Sequence, residues 1–383
     1  MSSVSPISFL KIRTSYGRTG NAEIGNLPQL GLFSGDAGYG GQAGQRPSQL
    51  ANPDLKWETT DQVDLGIDFG FLKDRITGEL DLYRKSTSGL LLNVNVPATT
   101  GFTSQVKNVG KLENKGIEFV LNAVVLDRPN LKWIAGFNVA ANRNKINDIQ
   151  GQIIEAGFNS MSRAMEGQSM CTFFTAEYAG VDPTNGDALW YKNTLNPDGS
   201  LDRTKTADYS EAQRVVIGSA LPKWIGGISS TLKFKRFELN MLWNFVQGNL
   251  INFYGIGQYA SANGLYEDNQ TIDQLNSWTI ENPNTDIPEA RLYYTNGSEA
   301  SSRYLKDGSF LRLRSASLSY NLPASLSSKA RIRNVRLFIT GLNLITITKY
   351  HFWDPEVNSD ALSNNNIAPV SYTHLTLPTN REV

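Results

Sequence analysis

Residues 62–71 read QVDLGIDFGF, with Val63, Leu65, Ile67, Phe69 and Phe71 apolar and every even position polar or Gly. That period of two gives a strand one apolar face. Residues 237–245, FELNMLWNF, repeat it: Phe237, Leu239, Met241, Trp243 and Phe245 share one face and Glu238, Asn240 and Asn244 the other. Residues 117–125 place Ile117, Phe119, Leu121, Ala123 and Val125 together, with Glu118 and Asn122 opposite. Weaker alternation runs through 76–88, 131–145, 223–233, 309–322 and 334–345. A helical reading of 62–71 would scatter Asp64 and Asp68 onto an apolar stripe and fits the glycines poorly.

The alternation predicts eleven strands, at about 8–18, 58–71, 76–88, 110–126, 131–145, 171–182, 187–193, 223–233, 237–250, 309–322 and 334–345. The clearest run to about 10–14 residues, against a mean of roughly 5–6 in globular proteins. A tilted strand that crosses a bilayer needs that length. Short turns are expected at 72–75, 127–130, 182–186 and 234–236, and long loops at about 20–57, 89–109, 146–170, 194–222 and 251–308. Sorting of short turns and long loops to opposite ends is the habit of outer-membrane barrels. A soluble β-sandwich shares the alternation but has no reason to sort its loops. An odd number of strands leaves an unpaired edge on each side, so the chain is expected to be part of a barrel rather than a whole one.

Composition narrows the chemistry. The 383 residues carry 36 Lys+Arg against 36 Asp+Glu, which gives no basic excess for nucleic acid. One cysteine, Cys171, excludes a disulfide framework and a multi-thiolate metal site. Two histidines, His351 and His374, leave little for zinc or for imidazole acid–base chemistry. No apolar run approaches the ~20 residues of a transmembrane helix, and average hydropathy does not reveal a barrel. The first residues lack the basic and apolar regions of a signal peptide. Residues 369–383, PVSYTHLTLPTNREV, lack alternation and resemble translated sequencing-adapter read-through, so a foreign tail is expected there.

NPDLKWETTDQVDLGIDFGFLKDRITGELDLYRKSTSGLL (52–91) resembles a block of the SusC/RagA family of TonB-linked outer-membrane transporters. So do FLKIRTSYGRTGN (9–21), NVGKLENKGIEF (108–119), YAGVDPTNGDALWY (178–191) and LPKWIGGISSTLKFKRFEL (221–239). RYLKDGSFLRLRSASLSYNLP (303–323) and VRLFITGLNLITITKYHFWDPEV (335–357) complete a collinear series over residues 9–357. The resemblance implies an all-β fold: an antiparallel transmembrane β-barrel, of which residues 1–368 would be the C-terminal half of a 22-stranded, plugged barrel. It implies a Gram-negative outer-membrane location and no enzyme activity. The implied function is import of oligosaccharides, or in some members peptides. The implied partners are a SusD-like surface lipoprotein, the TonB–ExbB–ExbD complex acting through a plug, and outer-membrane lipid. Plug, TonB box and closing strand are not visible, so the chain alone is not expected to transport. The alternative is a soluble or surface-displayed β-sheet binding protein that uses aromatic loops.

Motifs that could carry other chemistry read better as turns. GYGGQA (38–43) and GIGQYA (255–260) match a dinucleotide fingerprint but lack the strand–helix frame it needs. NPDGSLD (196–202) has no bidentate Glu at the twelfth position of a calcium loop, and DPTNGD (182–187) is turn chemistry. Glu79/Asp81 and Asp64/Asp68 are expected as solvated lumen charges rather than catalytic pairs, and no cofactor is implied. Tyr83, Trp133, Trp224, Trp243, Phe310 and Tyr320 are expected to pack on strands or form interfacial girdles. Tyr254, Tyr259, Tyr266, Trp278, Tyr293 and Tyr294, in the 251–308 loop, are the candidates for contact with substrate or partner.

Overall fold

Nine long strands alternate along the chain with short turns and long excursions. The computed structural model describes residues 6–21, 27–156, 160–253, 257, 269–291, 296–323, 325, 332–333 and 335–356. The strands are β1 (Ile7–Asn21), β2 (Glu58–Phe71), β3 (Ile76–Ser88), β4 (Lys111–Arg128) and β5 (Leu131–Asp148). They continue as β6 (Trp224–Phe234), β7 (Phe237–Gln247), β8 (Phe310–Asn321) and β9 (Arg336–Thr348). All pair antiparallel with their neighbours in sequence, in the order β1 to β9, to make one nine-stranded sheet.

The registers carry the sequence alternation across the whole sheet. Ile12, Ile67, Leu80, Phe119, Val139 and Gly226 lie opposite one another in turn, as do Leu239, Leu318 and Ile339. The opposite face carries Lys11, Asp68, Glu79, Asn138, Asn240 and Ser317. A one-residue slip would exchange the faces, so apolar patterning fixes the register throughout. Strand β9 departs from the rule, because Phe338 and Leu342 lie opposite Ser319 and Ser315 on the polar face.

Glycines let large rings lie flat against the sheet. Phe245 covers Gly226 on β6, where a Cβ would collide with the ring, and stacks on Phe137 of β5 at 6.4 Å. On the polar face Tyr83 covers Gly116 in the same way. Such ring-over-glycine contacts pin register where a strand lacks a side chain.

Two predicted strands lie elsewhere. Residues 171–182 and 187–193 form strands, but short ones: Thr172–Ala176 joins a four-stranded sheet and Tyr178–Val181 pairs with Ala188–Tyr191 in a three-stranded one. Among the described residues the sheet therefore has nine strands rather than eleven. Their alternation is real, but stretches of 4–5 residues cannot span the height of strands of 11–18 residues. Nine is also odd, so the sorting of connections survives. The 182–186 turn belongs with the long excursions, at the end of the sheet opposite the turns 72–75, 129–130 and 235–236.

The buried core sits in those excursions. Met161, Phe253, Ala300 and Tyr304 form one cluster, with Leu305 and Phe352 packed on it. Ala176, Ala188 and Trp190 form a second, flanked by Tyr178 and Tyr209. Leu112, Ile146, Ile149 and Ala164 form a third, where the outer ends of β4 and β5 meet residue 164.

Candidate functional site

The polar face of the sheet carries clusters of hydrogen-bonded groups. Arg13 on β1 donates to Asp68 at 2.7 Å and to Asp81 at 3.1 Å, and Lys11 lies 3.6 Å from Asp68. Ser15 donates to Asp64 at 2.9 Å and Gln62 donates to the same carboxylate at 2.7 Å. Farther along, Thr231 donates to Asn240, and Asn240 to Glu238. These carboxylates are held by cations, amides and hydroxyls, as on a wetted surface. Among the described residues no group of three or more His, Cys, Asp or Glu gathers as metal ligands do.

At the outer end of the strands, the described parts of 149–223 and 248–309 interlock as a cap. Thr175 and Tyr209 both donate to the Ala300 carbonyl, at 2.9 and 2.7 Å. Asn296 accepts from Ala188 N–H and donates to the Gly186 carbonyl, both at 2.9 Å. Tyr304 is 1% exposed and donates to the Gly297 carbonyl at 2.7 Å. The segment after β9 closes the same assembly, where Phe352 stacks on Phe253 at 4.0 Å. Arg312 of β8, itself 4% exposed, pairs with Asp354 at 2.7 Å and with Glu356, which Arg314 also contacts.

Two of the cavities in this region are large. One, of about 660 Å³, lies where β5 runs on past β6, and its lining includes Asn142, Arg143, Lys223, Trp224, Gln247 and Asn249. The other, of about 630 Å³, is lined by Tyr178, Tyr191, Asp273, Asp286, Arg303 and Lys306. Burial pushes the Tyr178 hydroxyl pKa up and the Lys306 amine pKa down. Asp273 Oδ1 is buried with no hydrogen-bond partner among the described residues. At the rim of that cavity the Arg203 guanidinium lies 3.8 Å from the Tyr191 ring centre and donates to Glu177, holding that carboxyl pKa below its usual range.

Of the candidate loop aromatics, Trp278 is described. Its indole is packed against Gly186, donates to the Pro183 carbonyl at 3.2 Å and is 9% exposed, so the ring joins the 182–186 turn to the second excursion. Tyr254, Tyr259, Tyr266, Tyr293 and Tyr294 lie outside the described residues, as do His374 and the 369–383 tail. Gly40 and Gly41 of the first glycine motif, with φ of 59° and 78°, turn the hairpin Leu32–Tyr39/Gln42–Gln49, while most of 255–260 is not described. In 196–202, Asp198 accepts from Ser200 N–H and Oγ, and Asp202 from Thr204 N–H, so both serve turns. Trp133, Trp224, Trp243 and Tyr320 fall on the apolar face, whereas Tyr83 and Phe310 fall on the polar one. The two cavities were not legible beforehand, because each is assembled from residues far apart in sequence.

A sheet of long strands with one exposed apolar face, one largely polar face and its four longest connections at one end is the wall of a transmembrane barrel. Comparison with known proteins agrees. The model of the TonB-dependent receptor-like β-barrel family matches residues 4–344, and the chain belongs to that family. It is 32% identical over 385 residues to TonB-dependent receptor P3 of Formosa agariphila, covering 94% of this chain and 37% of the relative. It is 28% identical over 391 residues to TonB-dependent receptor SusC of Bacteroides thetaiotaomicron, covering 94% and 36%. The RagAB peptide transporter superposes with a TM-score of 0.81 at 29% identity, covering 97% of this chain and 40% of that one. The chain thus spans somewhat over a third of the length of these relatives. The expected fold and the outer-membrane location stand, and the apolar face is the lipid face. No helix among the described residues is long and apolar enough to cross a membrane.

Proposed function

We propose that this chain is part of the barrel of a TonB-dependent importer that moves oligosaccharides or peptides across the outer membrane. A SusD-like lipoprotein would cover the mouth, and the TonB–ExbB–ExbD complex would act through a plug inside the barrel. The observation that carries this reading is the shared orientation of two features: a polar wall with hydrogen-bonded clusters, and a cavity-bearing cap at the end where the four longest connections fall. Transport needs no covalent step, and a path of hydroxyls, amides and paired charges can hand a polar solute along by exchanging hydrogen bonds. The cavity with Tyr178, Tyr191 and the unpartnered Asp273 oxygen offers ring faces and an acceptor to a sugar or peptide unit. Tyr254, Tyr259, Tyr266, Tyr293 and Tyr294 belong to the surface proposed to meet lid or solute, whereas Trp278, buried against the 182–186 turn, would support that surface from within.

The soluble or surface-displayed binding protein has no use for an exposed lipid-type face, and nothing observed favours it. The test is uptake by cells carrying the intact transporter, with labelled oligosaccharides and labelled peptides as parallel substrates. Uptake of one class, abolished by deleting TonB and reduced by deleting the SusD-like partner, is expected. Accumulation indifferent to TonB would overturn the proposal.

A further inference from the structure

On the lipid side of β3, β4 and β5 the apolar rows end abruptly in cations. Strand β5 presents Trp133, Ala135, Phe137, Val139 and Ala141 on that face, a run of about 27 Å at ~3.3 Å per residue. That matches an apolar band about 25 Å tall. The next residues outward on the same face are Arg143 and Lys145. On β4 the sequence is Ile117, Lys115, Glu113, and on β3 it is Leu82, Arg84, Ser86. Arg84, Lys115 and Arg143 lie opposite one another across the three strands, and Lys145 lies opposite Glu113.

The charges there do not balance. Glu113 is 7% exposed and is gripped by Lys115 at 2.7 Å and by Arg84, so one carboxylate is shared by two cations. Arg143 and Lys145 are exposed and make no ion pair with any described residue. The neighbouring strands differ: Arg18 of β1 is matched at 2.7 Å by Asp61 of β2 on the same face. The cationic surface continues sideways, because Arg143 also lines the cavity of about 660 Å³ with exposed Lys223 and Trp224. Asp307, the carboxylate lining that cavity, is occupied by Ser309 N–H and Oγ.

We propose that this rim is a binding site for the phosphorylated headgroup of an outer-leaflet lipid. Hydrocarbon covers the apolar rows, so a lipid packed against Phe137 and Val139 carries its headgroup to the level of Arg143 and Lys145. Guanidinium and ammonium groups there meet phosphate oxygens in a geometry they pair with well. Trp224, on the apolar-face side of the cavity mouth, supplies the amphipathic ring favoured at an interface. The inference rests on placement of the wall in the bilayer and is independent of the solute that crosses.

The test uses the intact barrel that contains this chain, in detergent micelles, with retained lipid counted by native mass spectrometry. The probes are bis-phosphorylated lipid A, the same lipid with its phosphates removed, and inorganic phosphate as competitor. Retention of the phosphorylated lipid is expected, with the dephosphorylated lipid released and no displacement by millimolar phosphate. R143Q/K145Q is expected to weaken retention about tenfold, in keeping with loss of two headgroup-level charges. Arg18→Gln, on the balanced neighbouring pair, is expected to leave retention unchanged. Equal retention of both lipids would overturn the proposal even if the double variant failed to fold. So would equal retention by R143Q/K145Q and the parent, or displacement by submillimolar phosphate, which would mark an ion site instead.

Discussion

The wall and the cap are made from one chain but hold together by opposite means. In the wall, apolar side chains point outward: Ile12, Val63 and Leu65 are 69%, 52% and 44% exposed in the protein alone. In the cap a core of them points inward, with Phe173, Met161 and Tyr304 at 1% or less, while Ile272, Leu275 and Ile280 stay exposed on its surface. Backbone pairing and surrounding lipid stabilise the wall, whereas side-chain packing in water stabilises the cap. Damage to one should therefore leave the other standing.

Tyr304→Ala tests this most severely. It removes a fully buried ring and its bond to Gly297, with an expected cost of about 3–5 kcal/mol localised in the cap. Hydrogen exchange should rise across 160–223 and 269–309, while the barrel keeps its heat-modifiable mobility on a gel. Unfolding of the wall in step with the cap would show that the two are one cooperative unit.

The converse perturbation is Phe137→Arg. A cation near the middle of the lipid face should cost about 2–4 kcal/mol, measured by urea unfolding in lipid vesicles. Asn138→Arg, one residue along on the polar face, should cost well under half as much. Comparable costs at the two positions would contradict the assignment of faces.

Arg312→Met acts at the seam between the regions. It leaves Asp354 and Glu356 without their most buried cation. Both carboxylates reach solvent, so the cost should fall below the range for a fully buried pair, at about 2 kcal/mol. The segment 349–356 should detach first, read as increased proteolysis there.

Acid should produce the smallest effect. Arg203 holds the Glu177 carboxyl pKa below its ordinary value, and backbone N–H groups of Gly151 and Ile149 do the same for Glu166. A depressed folded pKa means stabilisation that is complete above the ordinary Glu value of about 4.3 and is lost as pH falls through the folded one. Cap proteolysis should therefore rise modestly below about pH 4, and Glu177→Gln should flatten that dependence. A cap that loosens instead as pH rises from 6 to 8 would contradict the sign.

The same contrast explains what could be read from sequence. The wall strands were legible because lipid on one side and water on the other write a period of two into them, as in 62–71 and 237–245, most weakly in β9. The cap writes no period. Its first cluster joins Met161, Phe253, Ala300 and Tyr304, whose neighbourhood cannot be inferred from spacing. Residues 171–182 were read as wall because a short strand in a small sheet alternates like a long one until its length is known. Trp278 was legible as a loop aromatic, but its burial depends on Pro183 and Gly186, far back in the chain. The Arg312–Asp354–Glu356 network gave no sequence signal, since each charge alone reads as solvated.

The most direct test of the two-faced wall is a cysteine scan of residues 135–141 in the intact barrel reconstituted in lipid vesicles, with Cys171 replaced by Ser. Each site would carry a spin label probed by lipid-soluble oxygen and by a water-soluble nickel chelate. The account predicts strict alternation: oxygen access at 135, 137, 139 and 141, and nickel access at 136, 138 and 140. Uniform nickel access along the strand, or alternation with the opposite phase, would contradict it.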